Sequence, residues 1–214
     1  MAAVVNKWSG VSVSMESVLG AAKTISAINK GTTCTVTGTH DFIAGDYVKL
    51  SVQGMKQLDG KVVRVLSVST TVSFVAEGID STPYDTFSSG FAYKITFGTT
   101  LGTVLSVSGS GGDFNFIDTT TIHANVKSQV PGVANAMSFS FDNLWDMTDA
   151  GLIALKAASD NQAQKAMHFA FATGHRMVFL GYVGASLIPG GSTQDKVTTK
   201  VDITAFGTPT YYAT

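Results

Sequence analysis

The residues in this chain that could do chemistry are few, and their spacing does not bring them together. Asp118 and His123, in the stretch DTTTIH, are the types that make an acid/base pair or begin a metal site. Five residues apart, they fall on opposite faces of a regular strand, and no third ligand stands at a fitting distance. His168 and His175 flank one predicted hairpin about three residue pairs apart, and His40 lies beside Asp41 in a turn-like stretch. Gly109, Ser110, Gly111 and Gly112 could be offered as a phosphate cradle. The Lys-Ser/Thr pair of such loops is missing, however, and the stretch leads into a strand pattern rather than a helix. No serine occupies a Gly-x-Ser-x-Gly elbow, and Cys34 lies in a strand pattern with nothing local to activate it. The carboxylates are spread too evenly to nominate a hydrolytic pair. The chain therefore reads as a non-enzyme, with no catalytic residue, no metal site and no cofactor.

Aromatic side chains are the other chemical resource. Phe114, Phe116, Phe139, Phe141, Phe169 and Phe171 could stack on bases, but their period-two spacing makes them core residues first. Platforms for single strands also need interleaved Lys or Arg, and only Arg176 accompanies them. With 14 basic and 15 acidic residues scattered along the chain, no basic cluster exists to grip phosphates. Passage of DNA nearby is compatible with that balance; sequence-specific binding is not.

Only 14% of the residues are charged, against roughly 25% in ordinary soluble domains. Ser, Thr and Gly cover the surface instead. Two readings fit: a Ser/Thr-rich β-protein, or a subunit whose neighbours cover it, since interfaces are depleted in Lys and Glu. The single cysteine excludes an intrachain disulfide framework. The opening MAAVVNKWSG has an apolar run of only five residues before Lys7, too short for a signal-peptide core or a membrane span. A chain made and kept in a cytoplasm, with no membrane partner, is the expectation.

The elements that must position these residues are mostly strands. In MSFSFDNLW, Met137, Phe139 and Phe141 alternate with Ser138, Ser140 and Asp142. In KVTTKVDITAF, Val197, Thr199, Val201, Ile203 and Ala205 share one face, with Lys196, Thr198, Lys200, Asp202 and Thr204 on the other. Between them a hairpin is predicted to turn at Thr173 and Gly174, with Phe169, Phe171, Val178 and Leu180 on one face interrupted by Arg176. One helix is predicted over residues 149–159, capped by Asp146 or Thr148 with Asp149 in its first turn, burying Leu152, Leu155 and Ala158. Strands around a lone helix predict a β-sandwich or barrel with the helix covering an end or edge.

Residues 31–97 read as a second unit, a small β-barrel with turns at 43–46, 58–60 and 81–89. At about 65 residues it is near the lower limit for a self-sufficient core. SVSGSGGD, residues 106–113, reads as the most flexible loop, leading into the strand FNFIDTTT.

The stretch from Asp118, IDTTTIHANVKSQVPGVANAMSFSFDNLWDMTDAGLIALKAASDNQ, resembles the tail tube proteins of long, flexible-tailed bacteriophages. There an Asp-x-Thr-Thr strand leads through a His and a basic segment to Pro-Gly, an alternating strand and a helix. The matching positions are Asp118, Thr120, Thr121, His123, Lys127, Pro131, Gly132, the strand 137–144 and the helix. The likeness covers residues 1–30 and 98–214, which would form the tail-tube domain, with 31–97 as an inserted small barrel that the simplest members lack.

The resemblance implies a β-sandwich flanked by a helix, assembled as stacked hexameric rings into the tube through which the genome leaves. It implies a virion tail protein assembled in the host cytoplasm, with a tape measure protein and a tail terminator as partners and double-stranded DNA passing non-specifically. A lumen that lets DNA slide should be polar and poor in Lys and Arg. The face Ser138, Ser140, Asp142 is the candidate, preferred over Lys196, Lys200, Asp202. Segments that order on stacking should be Gly-rich, which points to residues 1–9, 106–113 and 187–194. Candidate arm or ring-stacking contacts are Trp8, Gly109, Gly111, Gly112, Tyr211 and Tyr212. The alternative is a capsid-decorating or adhesin-like phage protein whose inserted barrel binds a surface glycan.

Overall fold

The structure, a computed structural model, describes residues 5–69 and 71–213. Residues 1–4 of the expected N-terminal arm lie outside the described residues. The chain opens with β1 (Ser12–Leu19), β2 (Lys23–Ile25) and β3 (Ala27–Ile28). It continues through β4 (Cys34–Thr37), β5 (Tyr47–Gln53), a 3-10 turn at Lys56–Leu58, β6 (Val62–Ser69) and β7 (Ser73–Ala76). The long β8 (Ser89–Thr100) is followed by β9 (Val104–Ser110), β10 (Phe114–Asp118), β11 (Gln129–Ala134) and β12 (Ser138–Leu144). Helix α1 (Ala150–Asp160) precedes β13 (Gln164–Ala170), β14 (Arg176–Gly184) and β15 (Thr198–Tyr212). The fold is mainly β, a curled antiparallel half-barrel with one flanking helix.

The half-barrel runs β9-β12-β15-β14-β13-β1-β8. Beyond β8 the order continues β5-β6-β7-β4-β3, and β2, separated from β3 by Ser26 alone, pairs back onto β8 through Lys23↔Ala92 and Ile25↔Gly90. The second set of strands thus closes on itself as a small barrel, and β8 serves both units.

Three apolar clusters follow from this layout. The first joins Met15, Phe141, Leu152, Leu155, Phe169, Phe179, Val201 and Ile203 between the half-barrel and α1. The second fills the small barrel, from Ile25 and Ile28 through Leu50, Val63 and Phe74 to Ala92. The third, Val62, Ile95, Ala166, Val178, Leu180 and Tyr212, joins the two.

Leu152, Leu155 and Ala158 are buried on α1 as the pattern predicts, together with Gly151. The cap differs. Asp149 is the N-cap, accepting from the Leu152 N–H at 2.8 Å, while Asp146 closes the preceding turn on Thr148. A carboxylate suits either place; the backbone turn at Asp146 selects Asp149.

The β13–β14 face differs too. Phe169 registers with Met177, and Val178 with His168, so Phe169 points to the first cluster while Val178 and Leu180 point to the third. The connection holds an odd number of residues, which moves one arm to the opposite face relative to the predicted register. Both faces of this hairpin are apolar because both are covered. On β15, Thr199, Val201, Ile203 and Ala205 are buried as predicted, but Val197 precedes the strand and is exposed.

Residues 106–110 are strand rather than loop. Ser110, Gly109 and Ser108 register with Ser138, Phe139 and Ser140 of β12. A partner strand supplies the ordering that Ser/Gly composition does not encode. Among the described residues no helix is long and apolar enough to cross a membrane.

Candidate functional site

Across β9, β12 and the first half of β15 the half-barrel has one apolar and one polar face, and the polar face is built in rows. Strand alternation sends Phe139, Phe141, Val201 and Ile203 to the core and their neighbours outward. Ser110, Ser138 and Thr204 stand side by side across three strands, as do Ser108, Ser140 and Asp202, and Ser106, Asp142 and Lys200. The Ser106 hydroxyl donates to Asp142 at 2.7 Å, and that of Ser140 donates to Asp202. The two faces weighed separately in the sequence are therefore one surface, on which Lys200 is registered opposite Asp142. Lys196 lies before β15 and is exposed.

The sheet ends at β9, which pairs only with β12 and leaves its other backbone edge without a strand among the described residues. Its far end is the root of a protruding ribbon. At Gly111 (φ +85°) and Gly112 (φ +87°) the backbone takes a left-handed turn, and a Cβ on Gly111 would stand 2.2 Å from the Ala136 carbonyl oxygen. Only glycine fits there. Hydrogen bonds from Gly112 N–H to Asn135 O (3.1 Å) and Asn135 N–H to Asp113 O (2.9 Å) carry the ladder past the kink into β10 and β11. Gly109 differs from its two neighbours: it lies within β9, beside the Phe139 ring.

All the motif positions ahead of β12 lie on this ribbon. The Asp118 carboxylate accepts from the Thr120 N–H at 2.8 Å, and the Thr120 side chain, followed by this backbone bond, holds its pKa below the usual range. The Thr119 and Thr120 hydroxyls bond to Ser128 across the tip, and Thr121 opens a turn closed by Ala124. His123 is exposed in that tip, outside any strand, rather than across a strand from Asp118. Pro131 registers with Phe116, and Gly132 packs so closely on Asn115 O that a Cβ would stand at 2.8 Å.

Phe114 and Phe116 are corrected by the structure. They are not core residues: Phe116 is 63% exposed, and Ile122 and Val133 are 97% and 84% exposed. Period two reports a strand with two unlike faces; it cannot say whether the apolar face is covered within the same chain.

At the chain ends, Trp8 is 58% exposed and rests against Phe171 with ring centroids 5.8 Å apart, while Asn6 bonds to Thr173 and His175 at the β13–β14 turn. Tyr211 is exposed. Tyr212 is buried against Arg64 of the small barrel, and burial raises its phenol pKa well above the usual range. In 187–194, Leu187 is buried and its carbonyl accepts from Trp145 Nε1 at 3.0 Å.

Among the described residues no group of three or more His, Cys, Asp or Glu could hold a metal ion. What the arrangement offers is surface: a polar sheet face, an open strand edge and an apolar ribbon. The sequence located the first and the glycines at the root of the third. It missed that the motif stretch is an exposed arm, which the exposed-type tip TTTIHANVKS between two short strands could have indicated.

The family model described as phage tail tube protein matches residues 53–214. The match begins at the end of β5 and so includes the later strands of the small barrel as well as the half-barrel and arm. No curated protein matches the chain.

Proposed function

Because the chain belongs to the phage tail tube protein family, structural proteins of the virion tail that assemble into a tube and are not enzymes, we propose that it polymerises as stacked hexameric rings whose lumen conducts the genome. The observation that carries this reading is the open edge of β9 with an apolar arm at its end: together they leave a backbone edge and large side chains that only neighbouring subunits would cover. Closure of such edges around an axis turns an aggregation hazard into a ring.

In this reading the rows Ser138, Ser140, Asp142 and Lys200, Asp202, Thr204 face the lumen. Hydroxyls and a small net negative charge would let phosphates pass without a salt-sensitive grip. Trp8, Gly111, Gly112 and Tyr211 lie at ring contacts, and the motif positions Asp118, Thr120, Thr121, His123, Pro131 and Gly132 shape the arm that reaches a neighbour. Residues 1–30 and 98–214 form the tube wall and 31–97 a small barrel on its outside, with strands β2 and β3 completing that barrel. The tape measure protein would occupy the lumen before DNA does, and the terminator would cap the last ring. Assembly takes place in the host cytoplasm.

Electron microscopy of the purified protein and of virions tests this. Hollow tubes or six-fold rings are expected; a strictly monomeric protein located on the capsid surface would overturn it.

A further inference from the structure

A groove of about 580 Å³ runs between β9 and the segment that leads into β1. Trp8, Val11, Val13, Leu101, Leu105 and Val107 line it, and none of its lining residues is charged. One wall is a place where the curled sheet stops. Among the described residues β9 has no strand on this side, and β1 lacks a partner on its β8 side only at Ser12, since the Val13 carbonyl already accepts from Leu101 N–H at 2.9 Å. Apolar side chains beside the unfilled edge of β9 are the features of a slot for an added strand.

We propose that this groove receives the β10–β11 arm of a second copy of the chain. The inference rests on the tube reading and deepens it, by assigning the arm a receptor site. Four observations single out the arm. Its run Phe114–Ile117 is uncharged and bracketed by Asp113 and Asp118, while the groove is uncharged and Lys7 adjoins it next to Trp8. Both outer edges of the ribbon are without partners among the described residues, so either can add to a sheet. At about 3.4 Å per residue, the four residues of that run match the four of the wall Val104–Val107. The ribbon also continues beyond the end of β9, away from the groove that β9 borders, so a chain's own arm lies past its own slot.

The symmetry follows. Arm and groove are different surfaces of one chain, so their contact is head-to-tail and repeats until it closes into a ring or runs on as a filament. A self-complementary dimer would need the same patch on both partners.

Cysteine cross-linking tests the assignment. The only native cysteine, Cys34, is fully buried, so introduced thiols report alone. Leu105→Cys is prepared in one batch of full-length protein and Phe114→Cys or Phe116→Cys in another. All three positions are exposed, and circular dichroism checks that each variant folds as wild type. Tubes assembled from mixed batches and oxidised should contain several-fold more disulfide-linked dimer than tubes of either batch alone or mixed protein kept unassembled. In such a mixture a Leu105→Cys to Phe116→Cys link is between chains by construction. Tubes of normal form in which neither arm position links to Leu105→Cys would overturn the proposal and leave the tube reading intact. Failure of wild-type protein to form any ring or tube would overturn the tube reading itself.

Discussion

The Arg64 guanidinium lies 4.6 Å above the ring of Tyr212, and the Arg64 backbone N–H donates to the Tyr212 hydroxyl at 2.6 Å. Residues 148 apart in sequence thereby join the small barrel to the last strand of the half-barrel. The join is repeated along both strands: the Thr210 hydroxyl donates to Val62 O at 2.9 Å, and the Phe206 ring lies where a side chain on Gly60 would stand. Beyond Phe206, β15 acts as a strap across the first half of β6. The small barrel is fixed to the half-barrel rather than tethered to it, which suits a match that spans both units without a break.

Removing the Tyr212 hydroxyl tests the strap. Tyr212→Phe keeps the ring under Arg64 but removes the hydroxyl that accepts from its N–H, a loss of about 1 kcal/mol. Tyr212→Ala also opens a cavity in the joining cluster and should cost about 3–5 kcal/mol. Urea unfolding gives both values, and amide exchange at Arg64 should accelerate in both variants. Wild-type stability and exchange in Tyr212→Phe would show that the bond carries nothing.

His168 gives the junction a pH dependence. It is buried beside Tyr47 and Phe97, with ring centroids 5.2 and 5.0 Å away, and its Nε2 has no hydrogen-bond partner among the described residues. Burial, with a smaller contribution from Arg176, lowers its pKa from 6.5 to about 4. The folded state therefore favours neutral imidazole, while the unfolded chain takes up a proton near pH 6.5. Stability is full above that pH and falls as the pH drops toward 4, by about 3 kcal/mol in all. His168→Phe should flatten this part of the stability–pH curve measured by denaturant unfolding. An unchanged slope in the variant would assign the acid sensitivity elsewhere.

How much of this was legible in the sequence depends on what the side chains record. Alternation in Ser138–Leu144 and Thr198–Ala205 fixed both strands and their polar faces, because one face is buried and the other is not. It could not tell that the two polar faces adjoin, since that is a matter of pairing between segments about 60 residues apart. The same alternation at Phe114 and Phe116 suggested a core where there is an exposed arm. Sequence pattern encodes a demand for cover and is silent on whether the cover comes from the same chain. Gly111 and Gly112 were visible as glycines, but the reason for them, a kink against Ala136, is a contact across the ribbon. The strap was not legible at all: Tyr212 and Arg64 meet only because β15, still paired to β14, runs on past the end of its pairing with β12 at Thr204.

The kink makes a prediction that separates neighbouring glycines. Alanine at 111 would combine a left-handed backbone, which costs about 1–2 kcal/mol, with a clash against the Ala136 carbonyl, so the arm must swing or lose register. Gly111→Ala should keep the thermal midpoint of the monomer nearly unchanged, because the three apolar clusters lie elsewhere, and should give few or short tubes by electron microscopy. Gly109→Ala, whose added methyl would meet the Phe139 ring at an ordinary 3.5 Å, should assemble normally. Equal assembly by both variants would remove the kink from the argument.

The lumen assignment is tested by adding charge where the rows cannot neutralise it. A lysine at 140 would be met by Asp202 across the strand, and the result would be ambiguous. Ser138 stands between Ser110 and Thr204 with no carboxylate in its row, so Ser138→Lys keeps its charge for whatever passes. Its side chain is on the face opposite the core, so tubes should still form. If that face lines the channel, every ring gains six cations directed at the phosphates under the hexameric reading, and release of DNA from virions should slow at low salt and recover as salt screens the contact. Asp142→Asn should act in the same direction and more weakly. Release at the wild-type rate across the salt series, from particles carrying normal tubes, would place the Ser138–Asp142 face away from the lumen.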